Sequence, residues 1–357
     1  MASIFDYVNS QEIAAYIQAE PSNSVPYFGE TLFPSKKQVG TDISWLTGNQ
    51  GLPVLIEPSQ YDAKATLRER TAFGRKETEM AFFRESMRIG EKDRQEINKL
   101  LNHPNSQIAL PIIQNIFDDI KKLTDGVRAR AEEIRMQLLQ TGTINVTGVT
   151  SGASYKYDYG LTNKSKVAAS WGASGSNPIK DIIDALDVVE NKTGVRPSRL
   201  VMNRNTFIKL INDANVRGAM LPTWTAAQVA KALITETQLK SFVEEVTQCR
   251  IFVYSKKVAT LDKSTGLAST TAKQLLDDDK VIFLPEGTIG NTWYGTTPEE
   301  SDLLAGGSNA SVSIINGGTA ITTYKEVHPV NVVTVVSSVF IPSFEGIDNV
   351  YVLTTKA

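Results

Sequence analysis

Residues 111–140, PIIQNIFDDIKKLTDGVRARAEEIRMQLLQ, carry the pattern on which the reading of the fold turns. Ile113, Ile116, Phe117, Ile120, Leu123, Val127, Ala131, Ile134 and Leu138 recur every three or four residues along one stripe, the period of an amphipathic helix. Pro111 suits an early position, where a missing N–H costs nothing, and Thr141-Gly142 supplies a stop. At 1.5 Å rise per residue such a helix spans roughly 45 Å, long for an ordinary globular protein. Gly126 interrupts it at a cost of about 1 kcal/mol relative to Ala.

Upstream of this helix the texture is different. Residues 1–50 scatter Pro21, Pro26, Gly29, Pro34, Gly40 and Gly48 around one short helical stretch near Gln11–Glu20. They read as an extended arm. Residues 51–90 alternate on either side of Phe73-Gly74, the expected turn between two long strands. From Lys64 to Lys99 charges of both signs are dense, among them Arg68, Glu69, Arg70, Arg75, Glu77, Arg84 and Glu85. A hairpin charged on both faces cannot stand alone in water, so it must lie against something else. Mixed charge of this kind is either a solvated face or an interface that pairs with complementary charge. Glu91–Leu101 reads as a short helix that stops before Pro104.

Downstream, Ile144–Gly148 and Tyr155–Tyr159 read as strands, and the Ser, Gly and Asn of Ala168–Asn177 as a linker. An α/β block follows over about 178–320. Asn177 and Pro178 open a helix with Ile179, Ile182, Ile183, Leu186 and Val189 inward, and Gly194 with Pro197 ends it. Asn203 or Asn205 caps the next helix. Arg250–Tyr254 and Val281–Leu284 are apolar runs of the buried-strand kind. Val330–Ile341 and Val350–Leu353 are rich in Val and Ile, and are expected to join the sheet begun near residue 144.

Composition narrows the chemistry. The chain has 357 residues, 37 Lys+Arg against 39 Asp+Glu, two His and one Cys. At 41% apolar residues it can build a core, and its length suggests two or three domains. Cys249 alone forms neither an internal disulfide framework nor a thiolate zinc site. His103 and His328 cannot make a His-rich metal centre. A formal net charge of −2 argues against a dedicated nucleic-acid binder. The N-terminus lacks a basic region followed by an apolar one, so no secretory signal is read. No apolar stretch of membrane-spanning length occurs either. A reducing, aqueous compartment is expected, and the sequons at Asn145, Asn163, Asn191 and Asn309 read as chance.

Catalytic patterns are thin. The phosphate-cradling glycine motifs and H-E-x-x-H are absent. Gly306-Gly307-Ser308-Asn309-Ala310 only approximates a nucleophile elbow and reads as a loop. Asp181 and Asp184 lie one turn apart but sit where carboxylates complement a helix dipole. Asp277-Asp278-Asp279 lacks calcium-loop spacing and reads as a solvated turn. Cys249 reads as a small buried apolar residue. Trp45, Trp171, Trp224 and Trp293 form no aromatic ladder for bases. No catalytic, cofactor or metal residue is assigned.

The order of elements carries a resemblance. Glu79-Met80-Ala81-Phe82-Phe83-Arg84-Glu85 follows the charged hairpin. Thr193-Gly194-Val195-Arg196-Pro197 precedes Leu200-Val201-Met202-Asn203. Lys280-Val281-Ile282-Phe283-Leu284-Pro285-Glu286-Gly287 is followed by Gly290-Asn291-Thr292 and Tyr294-Gly295. In this order, over nearly the whole chain, they resemble the major capsid proteins of tailed double-stranded-DNA bacteriophages. The implied α+β fold is that of the Hong Kong 97 phage capsid, with the lambda-like major capsid protein group the nearest in character.

The resemblance implies an N-terminal arm at 1–50, an extended loop at 51–90 that reaches over a neighbouring subunit, and a peripheral domain at 91–177 and 321–357. It implies a spine helix at 111–140 and an axial domain at 178–320, clustered at the centres of hexamers and pentamers. Arg68, Glu69, Arg70, Arg75 and Glu77 are the expected intersubunit contacts. The implied product is an icosahedral shell of the phage particle, assembled in the host bacterial cytoplasm. It would enclose double-stranded DNA without sequence-specific binding, without cofactor and without a membrane. No removable segment is recognised ahead of residue 51, so a separate scaffolding protein is expected as a partner, along with a portal and a decoration protein. An encapsulin-type compartment shell and a cytoplasmic α/β enzyme built on 178–320 are the alternative readings.

Overall fold

The structure is a computed structural model that describes residues 10–19, 27–47, 74–101, 110–148, 152–261, 268–303, 310–326, 328 and 330–357. In chain order its elements are α1 (Ser10–Ala19), α2 (Phe28–Leu32), β1 (Ser35–Lys37), β2 (Asp42–Thr47), β3 (Gly74–Glu79), β4 (Ala81–Ile89), α3 (Glu91–Leu101) and α4 (Leu110–Thr141). Then come β5 (Thr143–Thr147), β6 (Ser154–Asp158), β7 (Lys164–Lys166), α5 (Pro178–Thr193), β8 (Arg199–Met202), α6 (Arg204–Asn212), α7 (Ala214–Met220), α8 (Ala226–Lys231) and α9 (Glu236–Thr247). The chain continues through β9 (Arg250–Val253), β10 (Lys257–Leu261), β11 (Ala268–Gln274), β12 (Lys280–Leu284), β13 (Asn291–Tyr294), β14 (Ala310–Ile315), β15 (Thr319–Glu326), β16 (Asn331–Ser343) and β17 (Tyr351–Thr354). Two units result: Met1–Ser44, Glu77–Glu132 and Asn291–Ser343 form the first, and Trp45–Lys76, Glu133–Gly290 and Phe344–Ala357 the second.

The first unit is organised by β16. Antiparallel β15 pairs with it from Glu326↔Asn331 to Thr319↔Ser338. Antiparallel β4 pairs from Ile89↔Val332 to Ala81↔Phe340, and β13 covers its end from Phe340 to Ser343. β1 runs parallel to β13, and β14 completes the sheet beyond β15. Nearly every β16 residue is buried, which explains its continuous Val/Ile run: a strand covered on both faces has no solvent side to alternate with. Its buried hydroxyls are bonded, Ser338 Oγ donating to the Gly318 carbonyl at 3.0 Å. Ile13 and Ala14 of α1 and Ile120 and Leu123 of α4 pack with Ile315, Ile321, Val332 and Val336. Each such Ile, Leu or Val contributes about 1.5–3 kcal/mol by leaving water. The helical part of the expected arm is therefore docked on its own sheet, where Ser10 Oγ lies 2.7 Å from Ser311 Oγ.

The second unit holds a sheet in the order β7-β17-β12-β8-β9. After Lys280, β12 is apolar and buried, and it pairs antiparallel with β17 on one side and β8 on the other. β8–β9 and β17–β7 are parallel. Ile182, Leu186 and Val189 of α5, Phe207 and Leu210 of α6, and Leu239 and Val243 of α9 pack on Leu200, Met202, Val281, Phe283, Tyr351 and Leu353. Local chemistry sets the helix ends. Asn177 accepts from the Lys180 N–H and Pro178 opens α5, while Gly194 closes it at φ 73°. Asn203, not Asn205, caps α6, accepting from the Thr206 N–H at 2.8 Å.

Four expectations change. β17 joins the α/β sheet, not the one begun near residue 144, and among the described residues β5 pairs only with β6. The cause is β12, whose two apolar faces and two bonding edges need a neighbour on each side. The boundary drawn at 320/321 falls inside β15, and β13–β15 pair with β16 instead of extending the α/β block. The turn expected at Phe73-Gly74 is not seen at Gly74, which begins β3; β3 forms a two-stranded sheet with β2. Ala168–Asn177 is anchored rather than loose: Trp171 is buried and its N–H donates to the Thr355 carbonyl at 3.0 Å.

The long helix runs from Leu110 to Thr141. Gly142 ends it at φ 73°, and its N–H bonds the Leu138 carbonyl at 2.8 Å. A Cβ there would sit 2.2 Å from Leu161 Cβ. Gly142→Ala should therefore cost about 2–4 kcal/mol, from left-handed strain plus overpacking. Urea unfolding with an unchanged slope and a lowered midpoint would show it.

Candidate assembly interface

Arg68, Glu69 and Arg70 lie outside the described residues. Arg75 and Glu77 fall on β3, and their side chains are likewise outside the description. Within the first unit, β1 and β4 each send a cation to one short turn, Glu299–Leu303.

Glu299 is nearly buried and accepts two hydrogen bonds. Arg84 Nη2 of β4 donates at 2.6 Å and Ser337 Oγ of β16 at 2.7 Å. The Arg84 guanidinium also lies 4.7 Å from the Phe82 ring centre. Its side chain is 48% exposed against 9% for Glu299, so the pair matters chiefly for the carboxylate, which would otherwise be buried with one donor. Removing the arginine should cost on the order of 1–3 kcal/mol, below the 3–5 of a fully buried pair. The adjacent Glu300 accepts from Lys37 Nζ at 2.6 Å, and Lys37 also bonds the Gly295 carbonyl at 2.9 Å. Thr297 shapes the turn that presents both carboxylates, its Oγ1 accepting from the Glu300 N–H at 3.2 Å.

Backbone bonds fix the same region. Gln38 N donates to Tyr294 O and Met80 N to Thr41 O, both at 2.8 Å, and Thr296 N to Gly40 O at 3.0 Å. Gly40 adopts φ 94°. Its carbonyl comes within 2.6 Å of where a Cβ on residue 295 would lie, so only glycine at 295 lets the strands close to this distance.

The other residues singled out in the sequence find structural roles. Asp181 accepts from Trp171 Nε1 at 3.0 Å, and Asp184 pairs with Lys180. Burial raises the Asp181 carboxyl above its usual pKa, opposed by the Trp171 bond. Asp278 is no free solvated turn residue: it accepts from Asn205 Nδ2 at 3.0 Å and from Asn203, and Asp279 pairs with Lys209. His328 is exposed. His103 and residues 306–309 lie outside the described residues. Among the described residues no group of three or more His, Cys, Asp or Glu could hold a metal, and no helix is long and apolar enough to cross a membrane. Sequence reading missed the Lys37–Glu300 and Arg84–Glu299 pairs, because partners 263 and 215 residues apart leave no local signal.

Cys249 is fully buried and its thiol donates to the Pro197 carbonyl at 3.1 Å. Burial pushes the thiol pKa up, with the Thr247 bond and the Arg196 charge pulling the other way. Maleimide should label the folded subunit roughly a hundredfold more slowly than the urea-unfolded chain, because thiolate and access are both scarce. Equal rates would contradict this.

The two units are thus a mixed sheet gathered on β16 and an α/β sheet built around β12. The model of the family described as "Phage major capsid protein E" matches residues 9–342. The chain belongs to that family, and so is a capsid shell protein of a tailed phage and not an enzyme. None of the curated proteins matches. Among solved structures it is similar to the putative capsid protein of a prophage of E. coli CFT073, at TM-score 0.58 and 14% identity, covering 98% of this chain and 99% of that one. It is similar to a phage-related protein from Bordetella bronchiseptica RB50, at TM-score 0.51 and 14% identity over 99% and 98%. It is similar also to the capsid of cyanophage A-1(L), at TM-score 0.50 and 12% identity over 94% and 95%. The fold is that of the Hong Kong 97 phage capsid, and the chain self-associates as part of the virion shell.

Proposed function

We propose that this protein is the tile of an icosahedral phage head, assembling as hexamers and pentamers around double-stranded DNA in the host bacterial cytoplasm. The family match across residues 9–342 carries this reading. In it, residues 51–90 form the arm that reaches a neighbouring copy, and the α/β block clusters at capsomer centres. A scaffolding protein, a portal and a decoration protein complete the particle. The near-neutral charge supports packaging without tight binding: a strongly basic lining would hold DNA through many phosphate contacts. A closed shell then draws its strength from many modest contacts that repeat by symmetry.

Electron microscopy of the purified protein, alone and with its scaffold, tests the reading. Closed shells are expected; a stable solitary subunit under all conditions would end it. The arm contacts have their own test. Arg68→Glu with Arg70→Glu should lower particle yield severalfold by placing like charges together, and unchanged yield would remove both residues from the interface.

A further inference from the structure

The second unit carries a lobe whose surface chemistry differs from the rest of that unit. Residues 222–228 are exposed without interruption. Trp224 is 49% exposed and Leu233 93%. From Gly218 to Thr235 the chain has a single charge, Lys231, although it is 21% charged overall. Elsewhere the same unit covers exposed helix surface with ions: Lys180 pairs with Asp184 on α5, and Arg196 pairs with Asp187 and Glu190 of the same helix. Single apolar residues scattered on a surface are ordinary. Here two large ones flank α8, whose six residues rise about 9 Å, and no carboxylate lies between them. We propose that the lobe around α8 is a self-contact, in which Trp224 and Leu233 pack against a second copy of this chain. The proposal rests on the reading of the protein as a shell tile and names a surface where two tiles touch.

The lobe is built before it meets anything. A six-residue helix is not stable by itself in water. Here the Thr225 N–H donates to Gln228 Oε1 at 2.9 Å and closes the start of α8. The Thr235 N–H donates to Gln238 Oε1 at 2.9 Å and closes the start of α9. Arg217 of α7 donates to the Ala232 carbonyl, next to Leu233, and Val229 of α8 is buried beneath. The backbone that carries the two exposed side chains is therefore fixed at both ends of α8. A surface ordered in this way loses less freedom on docking.

Its chemistry selects the occupant. The centre of a protein interface is poor in charge, and Trp is among the residues that dominate binding there. The chain self-associates, and rotational symmetry brings the same patch of each copy near its neighbours. A patch crowded by its own copies must not repel itself, because like charges placed together cost several kcal/mol. An uncharged apolar lobe meets that condition. One lysine offers too little for a phosphate backbone. Leu233, almost wholly in solvent, adds little to the core of its own subunit, so its replacement reads assembly and not folding.

The test uses the full chain under the conditions, alone or with its scaffold, in which wild type forms shells. Leu233→Asp should keep the wild-type urea midpoint while sedimentation and microscopy show at least a fivefold loss of capsomers and shells, with free subunits in their place. Trp224→Asp should lose assembly in the same way. Leu233→Cys gives an independent reading: maleimide should label it at least tenfold more slowly in shells than in the free subunit, with Cys249 silent because it is buried. Wild-type shell yield in both aspartate variants would overturn the proposal, as would equal labelling of Leu233→Cys in shells and free subunits. A lowered urea midpoint in Leu233→Asp would make the residue part of its own subunit's packing and overturn it too. So would variants that assemble normally from the purified chain and fail only when a second phage protein is added, which would assign the lobe to that protein. If wild type forms neither capsomers nor shells, the proposed function itself fails, an outcome visible without any variant.

Discussion

Phe340→Ala is expected to lower the unfolding free energy by about 3–5 kcal/mol, the range for deleting a fully buried aromatic ring. Phe340 has no exposed surface. Its backbone lies where β16 passes from one set of partners to another, opposite Ala81 of β4 and Tyr294 of β13. Its ring stacks on Phe83 at 4.7 Å and meets Tyr294 at 5.5 Å. Truncation empties a site bounded by two further rings, each bound to its own strand and little able to move inward. Phe340→Leu, which fills most of the space, should cost less than half as much. Urea unfolding followed by Trp fluorescence measures both, and a loss under about 1 kcal/mol for the alanine variant would mean the site collapses freely.

Asp213→Ala should cost about 3–4 kcal/mol, because a buried carboxylate that serves several donors leaves them all unsatisfied when it goes. Asp213 is 1% exposed. It accepts from the backbone N–H of Asn215 at 3.0 Å and of Val216 at 3.3 Å, capping α7. It also accepts from the Gly172 N–H at 3.0 Å and from Ser176 Oγ. One side chain thus joins the start of a helix to Ala168–Asn177, which its composition marks as a linker. Asp213→Asn keeps an acceptor oxygen and should lose roughly half as much. Hydrogen exchange should rise in 168–177 and in α7 together; a rise in α7 alone would reduce the residue to an ordinary cap.

The contrast between these two sites shows which parts of the molecule can be read along the chain. The caps at Asn177 and Gly194 and the stripe from Ile113 to Leu138 are local: each depends on residues within one or two turns, so spacing and residue type suffice, whereas the choice of Asn203 over Asn205 needed the structure. The role of Asp213 is half local. A cap at a helix start is legible, whereas its bonds to Gly172 and Ser176 cross 41 and 37 residues. The two-stranded reading of residues 51–90 had the opposite difficulty. Alternation marks strands but does not say which strand pairs with which, and β4 found its partner in β16, some 250 residues on.

Taken alone, then, the amino-acid order determined the long helix, the α/β texture of the middle block, the absence of familiar catalytic motifs and the succession of elements that resembles a phage capsid subunit. Those properties follow from backbone geometry and side-chain period over short distances. Tertiary structure alone decided that β17 completes the sheet of β12, that β13–β15 gather on β16, and that Glu299 and Glu300 hold Arg84 and Lys37. Strand edges are chemically alike along the chain, and a charge can pair with any opposite charge that packing brings near. Only burial of particular apolar faces selects among them.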